Sequence, residues 1–160
     1  MVGQRASECG TENSPERMTR HVVVAVGSDL RFVARMEEER CPRTCEVFSR
    51  ALPLVAQLIQ ARWSGEAAWV PLGGSTLEGA GVPLENPTSH PASGQLLLYP
   101  GGLSEPELLF PYGATTFSSK VGQLAGNPFL TLVEGREHLD ELGRRVLWDG
   151  AQQISFSCRR

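Results

Sequence analysis

Residues 21–36 read HVVVAVGSDLRFVARM. Valine dominates the first six positions, and a Gly-Ser-Asp turn follows at 27–29. From 30 to 36 the residues alternate, which puts one set of apolar side chains on the same side: Leu30, Phe32, Ala34 and Met36. Two short runs of this kind around a glycine-containing turn are typical of a β-hairpin. The stretch therefore predicts that the chain begins its folded part with two antiparallel strands.

Similar short runs recur along the chain between turns rich in glycine and proline. The predicted strands are 94–99 (GQLLLY), 107–110 (ELLF), 129–134 (FLTLVE) and 154–157 (ISFS). The long stretch 73–91, with many Gly, Pro, Ser and Asn residues, is predicted to be a loop. Many short strands joined by such turns predict a mainly β fold.

Two segments are predicted to be helices. One follows Cys41, with Pro42 in its first turn and Pro53 after its end. The other spans 137–148, with acidic residues early and Arg144 and Arg145 late, as the helix dipole favours. The segment 54–63 fits either a helix or a buried strand, and its periodicity leaves both open. Together, the predicted strands and helices indicate a closed β-barrel with two α-helices.

The predicted domain covers residues 20–160. Residues 1–19 are polar, have few apolar anchors and are predicted to be a disordered N-terminal extension, with Met18 as an alternative start.

Composition argues against several classes of function. The formal net charge is -3 and the basic residues are scattered, so neither nucleic acid nor an anionic membrane is expected as a partner. No apolar run is long enough to span a bilayer and no secretory signal precedes the first strand, so a cytoplasmic location is predicted. Cys41 and Cys45 have the spacing of two zinc ligands on a helix, but no second pair completes a metal site. No metal and no cofactor is expected.

Four segments resemble cyclophilins and small cyclophilin-like proteins. Residues 41–48 (CPRTCEVF) are similar to the first cyclophilin helix, A-P-x-T-x-x-x-F, in Pro42, Thr44 and Phe48. Residues 63–71 (WSGEAAWVP) resemble the W-G-[DE]-x-[IV]-[YW] strand pair, with Ser64 inserted, and 94–102 (GQLLLYPGG) resemble the turn and strand G-D-[IL]-x-Y-x-P-x-G. Residues 108–113 (LLFPYG) resemble the strand that comes next.

The second half of the chain is closer to one bacterial family of unknown function with a cyclophilin-like fold. That family carries E-N-P-T, found here at 85–88, and Y-G-x-x-x-F-x-S-x-x-G-x-L-x-G-N, found at 112–127. The resemblance covers about residues 21–157 and implies a cyclophilin-like barrel. It also implies that 57–63 is a strand and that the first helix ends near Leu52.

The functional hypothesis is a pocket at the barrel that binds a small polar or anionic metabolite. Aromatic walls with a few polar groups are what such a site needs. The candidate ligand-binding residues are Arg62, Trp63, Glu66, Trp69, Glu85, Asn86, Tyr99, Tyr112 and Lys120. No catalytic residue is identified.

Two alternatives remain. The first is peptidyl-prolyl cis-trans isomerisation, because cyclophilins place an Arg in an H-R-V-x-x-x-F-M-x-Q-G-G segment. Arg62 precedes Gly73 and Gly74 here, but the Phe-Met pair and the Gln are missing, and fold alone does not transfer an activity. The second alternative is a homo-oligomeric interaction protein without catalysis.

Overall fold

The computed structural model describes residues 19–160. The extension predicted for residues 1–19 and the alternative start at Met18 lie, except for Thr19, outside the described residues. The predicted hairpin is present: β1 (His21–Val26) and β2 (Leu30–Met36) pair antiparallel, with Val24 opposite Phe32. Alternation places the four apolar residues of β2 inside the barrel, and Val33 is buried as well.

The remaining strands follow in chain order. They are β3 (Leu54–Gln60), β4 (Gly65–Pro71), β5 (Gln95–Tyr99), β6 (Glu107–Thr115), β7 (Ser118–Ser119), β8 (Gly122–Gln123), β9 (Asn127–Glu134) and β10 (Gln152–Cys158). Eight of them form a closed antiparallel barrel in the order β1-β10-β3-β4-β6-β5-β9-β2, while β7 and β8 form a separate small hairpin. The two α-helices are α1 (Pro42–Arg50) and α2 (Leu139–Arg144). The mainly β fold, a closed cyclophilin-like barrel with two helices, is confirmed.

The barrel core is apolar and rich in edge-to-face aromatic pairs. Phe48 of α1 packs against Phe129 and Phe156, with ring centroids 4.9 and 5.4 Å apart. Phe32 meets Phe110 at 5.7 Å. Such pairs add specific geometry to the burial of large apolar surfaces. From the other helix, Leu139 and Leu142 enter the same core, so both helices are held by the barrel interior.

A second, smaller apolar cluster lies on the outer face of β4, β5 and β6. Successive side chains of a strand point to opposite faces, so Leu97 and Leu109 face away from the core that holds Leu96 and Leu108. Residues on either side of the β7–β8 hairpin cover this outer cluster, namely Phe117 and Leu124.

Several predicted boundaries need correction. The segment 54–63 is a strand only to Gln60, and residues Arg62–Ser64 form a 3-10 turn instead of continuing the strand. The strand predicted at 107–110 continues to Thr115. The helix predicted at 137–148 consists of a 3-10 turn, the short α2 and a π-helical turn at Arg145–Asp149. The π turn is closed by the hydrogen bond that the Gly150 N–H donates to the Arg145 carbonyl.

The junction between β3 and β4 is the shortest in the barrel. Residues 54–58 of β3 pair with β10, but only Ile59 and Gln60 pair with β4, opposite Trp69 and Ala68. Every other pair of neighbouring barrel strands shares at least three residue pairs. This junction lies directly beside the cleft described next.

Candidate functional site

A cleft of about 460 Å³ opens between the end of β3, the start of β4, β6 and the second helical segment. Its volume is in the range of small-molecule sites. The lining residues are Gln60, Arg62, Gly65, Glu66, Tyr112, Asp140, Gly143, Arg144, Leu147 and Trp148. Strands supply four of them (Gln60, Gly65, Glu66 and Tyr112), the 3-10 turn supplies Arg62, and the 139–149 segment supplies the other five.

The floor of the cleft is shaped by Tyr112 and Gly143. A methyl group at Gly143 would overlap three atoms of the Tyr112 ring, so the ring lies directly on the backbone of α2. The Tyr112 hydroxyl donates a hydrogen bond of 2.8 Å to Oε1 of Gln60. Burial raises the pKa of Tyr112, the Gln60 bond lowers it, and Glu66 and Arg62 act on it in opposite directions. The phenol is therefore a fixed neutral group with charges of both signs nearby.

Glu66 is held in a similar way by Gly113. A methyl group at Gly113 would lie 2.9 Å from both Cβ and Oε1 of Glu66, so the glycine leaves room for this side chain on the neighbouring strand. The same Oε1 accepts a hydrogen bond of 3.1 Å from the Ala114 N–H. The Glu66 side chain is exposed to solvent and its second oxygen has no hydrogen bond among the described residues. The carboxylate is thus positioned but still able to accept from a ligand.

The two arginines of the cleft differ in their partners. Arg144 donates to both carboxylate oxygens of Glu141, at 2.9 Å each, and also to Asp149. These bonds to Arg144, with a further bond from Arg145, lower the pKa of Glu141 to about 2. Arg62 has no ion pair or side-chain hydrogen bond within residues 19–160. Arg62 is therefore the cation of the cleft that is open to an anion.

The rim contains an exposed aromatic side chain. Trp148 is 76% exposed and lies in the π-helical turn that follows α2. Single π turns in a helix occur frequently at functional sites. The exposed indole adds an apolar surface to the rim of the cleft.

A second cleft, of about 580 Å³, lies between 51–57 and 71–76. None of the twelve residues that line it is ionisable. It therefore offers no charged group to orient a ligand, unlike the first cleft.

Three of the nine predicted site residues meet in the first cleft: Arg62, Glu66 and Tyr112. Trp63 and Trp69 do not line it; they pack edge to face at 5.7 Å, and Trp69 packs against the outer apolar cluster. Trp63 is 45% exposed, whereas the Nε1 of Trp69 is buried without a hydrogen-bond partner in the described part of the chain.

The other four predicted residues lie elsewhere. Glu85 accepts hydrogen bonds from the N–H groups of Arg43 and Thr44 at the start of α1, and so occupies the position of a capping carboxylate. Asn86 donates to the Arg40 carbonyl with φ of 48°, which fits a turn. Tyr99 is buried, and its hydroxyl accepts from the N–H groups at 103 and 104. Lys120 is exposed between β7 and β8.

Sequence reasoning missed the contribution of the second helical segment to the cleft, in particular Asp140, Gly143 and Trp148. The available signal was Gly143 itself. Glycine is a poor helix former, and its place inside an amphipathic helix indicates that another group approaches the backbone closely.

The cysteines near α1 are buried and chemically quiet. Cys41 donates weak hydrogen bonds to the carbonyls of Glu85 and Pro128, and Cys45 donates to the carbonyl of Phe129. Burial raises the pKa of each thiol to about 12. Within residues 19–160, no group of three His, Cys, Asp or Glu side chains is arranged to hold a metal ion. No helix in that same range has the length and apolar character needed to cross a membrane.

Comparison with known proteins agrees with the barrel. A family model described as "Protein of unknown function (DUF3830)" matches residues 23–158, whereas no curated protein matches the chain. The structure of McbB in complex with tryptophan is similar, with a TM-score of 0.62 and 18% identity over 85% of this chain and 44% of the McbB chain. This chain thus corresponds to less than half of McbB.

A second similar structure is the solution structure of the hypothetical protein AF2241 from Archaeoglobus fulgidus. Its TM-score is 0.53 at 15% identity, covering 91% of this chain and 100% of that one. At these identities the likeness concerns the fold. The predicted resemblance to a family of unknown function with a cyclophilin-like barrel is confirmed.

Proposed function

The chain belongs to the DUF3830 family of proteins of unknown function, and from its own geometry we propose that the cleft between β4, β6 and α2 binds a small anionic metabolite. The observation that carries this proposal is Arg62, a cation in a concave site with no partner among the described residues. A guanidinium with free N–H groups binds carboxylates and phosphates in a two-pronged geometry.

The walls support a ligand that also has a flat apolar part. Tyr112 forms the floor, fixed by Gly143 and by its hydrogen bond to Gln60, and Trp148 stands exposed at the rim. Aromatic surfaces with a few oriented polar groups are the usual composition of metabolite sites. Because Tyr112 packs on Gly143 and donates a hydrogen bond to Gln60, little ordering of its ring would oppose binding. McbB, which is similar in fold over 44% of its own chain, was solved in complex with tryptophan.

The proposal is tested by calorimetric titration of the full chain with benzoate and 3-phenylpropionate. We expect binding by the native protein and a loss of about tenfold or more in affinity for Arg62→Gln, since a hydrogen bond to a charged group contributes about 1.5–3 kcal/mol. Arg31→Gln is the matched control, because Arg31 is exposed on β2 and lies outside the cleft.

A blue shift in Trp148 emission on binding, absent in Trp148→Phe, would report that the ligand covers the rim. Equal affinities of the native protein and Arg62→Gln would refute the assignment, and so would the absence of binding by every carboxylate tested, the zwitterionic L-phenylalanine included.

A further inference from the structure

We propose that the ligand of this cleft is a zwitterion, an α-amino acid with a flat apolar side chain, whose carboxylate binds Arg62 and whose ammonium group binds Glu66 and Asp140. This inference rests on the proposed function, since it assigns the ligand class of the same site.

The first argument is the number of unsatisfied carboxylates. Glu66 has one oxygen engaged by the Ala114 N–H and one without a partner among the described residues. The side chain of Asp140, in the first turn of α2, has no hydrogen bond or ion pair to any other residue in 19–160. An ionised carboxylate accepts up to about four hydrogen bonds, so both groups have capacity for a donor. An ammonium group supplies three donors and a positive charge.

The second argument is the charge balance of the cleft. Arg144 is held by Glu141 and Asp149, so its charge is compensated within the protein. Among the described residues, the uncompensated groups are then one cation, Arg62, and two anions, Glu66 and Asp140. A simple anion would be attracted by the Arg62 guanidinium but repelled by the carboxylates of Glu66 and Asp140. A zwitterion is attracted at both ends, its carboxylate by Arg62 and its ammonium group by the two carboxylates.

The third argument is the proximity of the opposite charges. Glu66 raises the pKa of Tyr112 and Arg62 lowers it, so both charges act on the same phenol oxygen. That oxygen is fixed at 2.8 Å from Gln60. Arg62, Glu66 and Asp140 all line this one cleft, so a ligand that carries both charges can face groups of both signs.

The fourth argument concerns the side chain of the ligand. Leu147 and the exposed Trp148 line the cleft from its helical side. A flat apolar group placed there removes indole surface from water and stacks on it. L-phenylalanine is the simplest probe that combines this group with the zwitterion.

The experiment compares three probes of matched size by calorimetric titration of the full chain. L-phenylalanine carries both charges, 3-phenylpropionate lacks the ammonium group, and 2-phenylethylamine lacks the carboxylate. We expect L-phenylalanine to bind about tenfold or more tighter than either single-charge probe. Glu66→Gln and Asp140→Asn are expected to weaken L-phenylalanine without weakening 3-phenylpropionate. Glu39→Gln, on an exposed side chain outside the cleft, is expected to leave both unchanged.

The outcomes separate this inference from the proposed function. Equal or tighter binding of 3-phenylpropionate than of L-phenylalanine would overturn the zwitterion and leave the anion site intact. The zwitterion is also overturned if Glu66→Gln and Asp140→Asn weaken both probes equally. If none of the three probes binds, both the proposed function and this inference fail.

Discussion

Replacing Glu107 by glutamine is expected to remove most of the dependence of stability on pH between about 4.5 and 8. Glu107 is 3% exposed and begins β6, opposite Pro71 of β4 and Tyr99 of β5. Its Oε1 is buried and accepts no hydrogen bond from any described residue. Burial, with a smaller contribution from the Glu105 carboxylate, raises the pKa of Glu107 from 4.5 to about 8. The folded protein therefore holds this side chain protonated at neutral pH.

The magnitude follows from the two pKa values. The unfolded chain releases the proton near pH 4.5, whereas the folded chain keeps it until about pH 8. The contribution of the protonated group is fully present below pH 4.5 and is lost as the pH rises to 8. At about 1.4 kcal/mol for each pH unit, the free energy of unfolding falls by about 3 kcal/mol by pH 7 and by about 5 kcal/mol at most. That is a large fraction of the roughly 5–15 kcal/mol that stabilises a typical domain.

Urea unfolding at a series of pH values from 4 to 9 measures this slope. The difference between the native and Glu107→Gln curves cancels every other titrating group and isolates residue 107. Glu105→Gln is the control, because Glu105 is exposed on the preceding turn and its loss should leave most of the slope in place. Parallel curves for the native protein and Glu107→Gln would refute the reasoning, because they would mean that Glu107 ionises at the same pH in both states.

Two further predictions concern the helices. Gly143→Ala should destabilise the fold by about 1–3 kcal/mol although alanine is the better helix former, because its methyl group would overlap the Tyr112 ring. Gly73→Ala is the control: no atom lies within 4 Å of the added methyl group, so stability should change by less than about 0.5 kcal/mol. Thermal unfolding compares the two variants, and equal effects would contradict the close packing of the Tyr112 ring on Gly143. Iodoacetamide at pH 8 should leave Cys41 and Cys45 unmodified in the folded protein and label both in urea, since burial raises the pKa of each to about 12. Peptide mass spectrometry reads the labelling, and rapid modification of either thiol under native conditions would contradict its burial.

The sequence predicted most of the strands but misplaced those that contain proline. The strand that begins at Glu107 was predicted to end before Pro111, because proline usually marks a turn. Pro111 instead pairs with Ala67 beside a shift in register between Gly65 and Ala67. Pro128 in β9 likewise pairs with Leu97 beside a register shift. Proline is tolerated at such bulges because no N–H is needed there, and periodicity does not reveal a bulge.

The candidate site was predictable on one side only. Arg62 and Glu66 are four residues apart in a segment that already drew attention through its tryptophans, and Tyr112 belongs to a recognised motif. Asp140 and Trp148 come from a helical segment far along the chain that packs against β6 and β4. In the sequence, these side chains have the pattern of an ordinary solvent-facing helix surface. The packing of Tyr112 on Gly143 places this surface in the wall of the cleft.

Because the junction between β3 and β4 is short, a ligand in the cleft should slow the exchange of backbone amide protons at this junction. Gln60 stands on one side of this junction and Glu66 on the other; two residue pairs join the strands, extended by the hydrogen bond from the Ala61 N–H to the Ala67 carbonyl. A molecule that contacts both side chains bridges the place where the fewest pairs keep the barrel closed. Local opening of the junction would then require release of the ligand, so the amide protons of Ile59 and Trp69 should exchange more slowly with solvent when the cleft is occupied. The exchange rates of these two amide protons would therefore report whether the cleft is occupied.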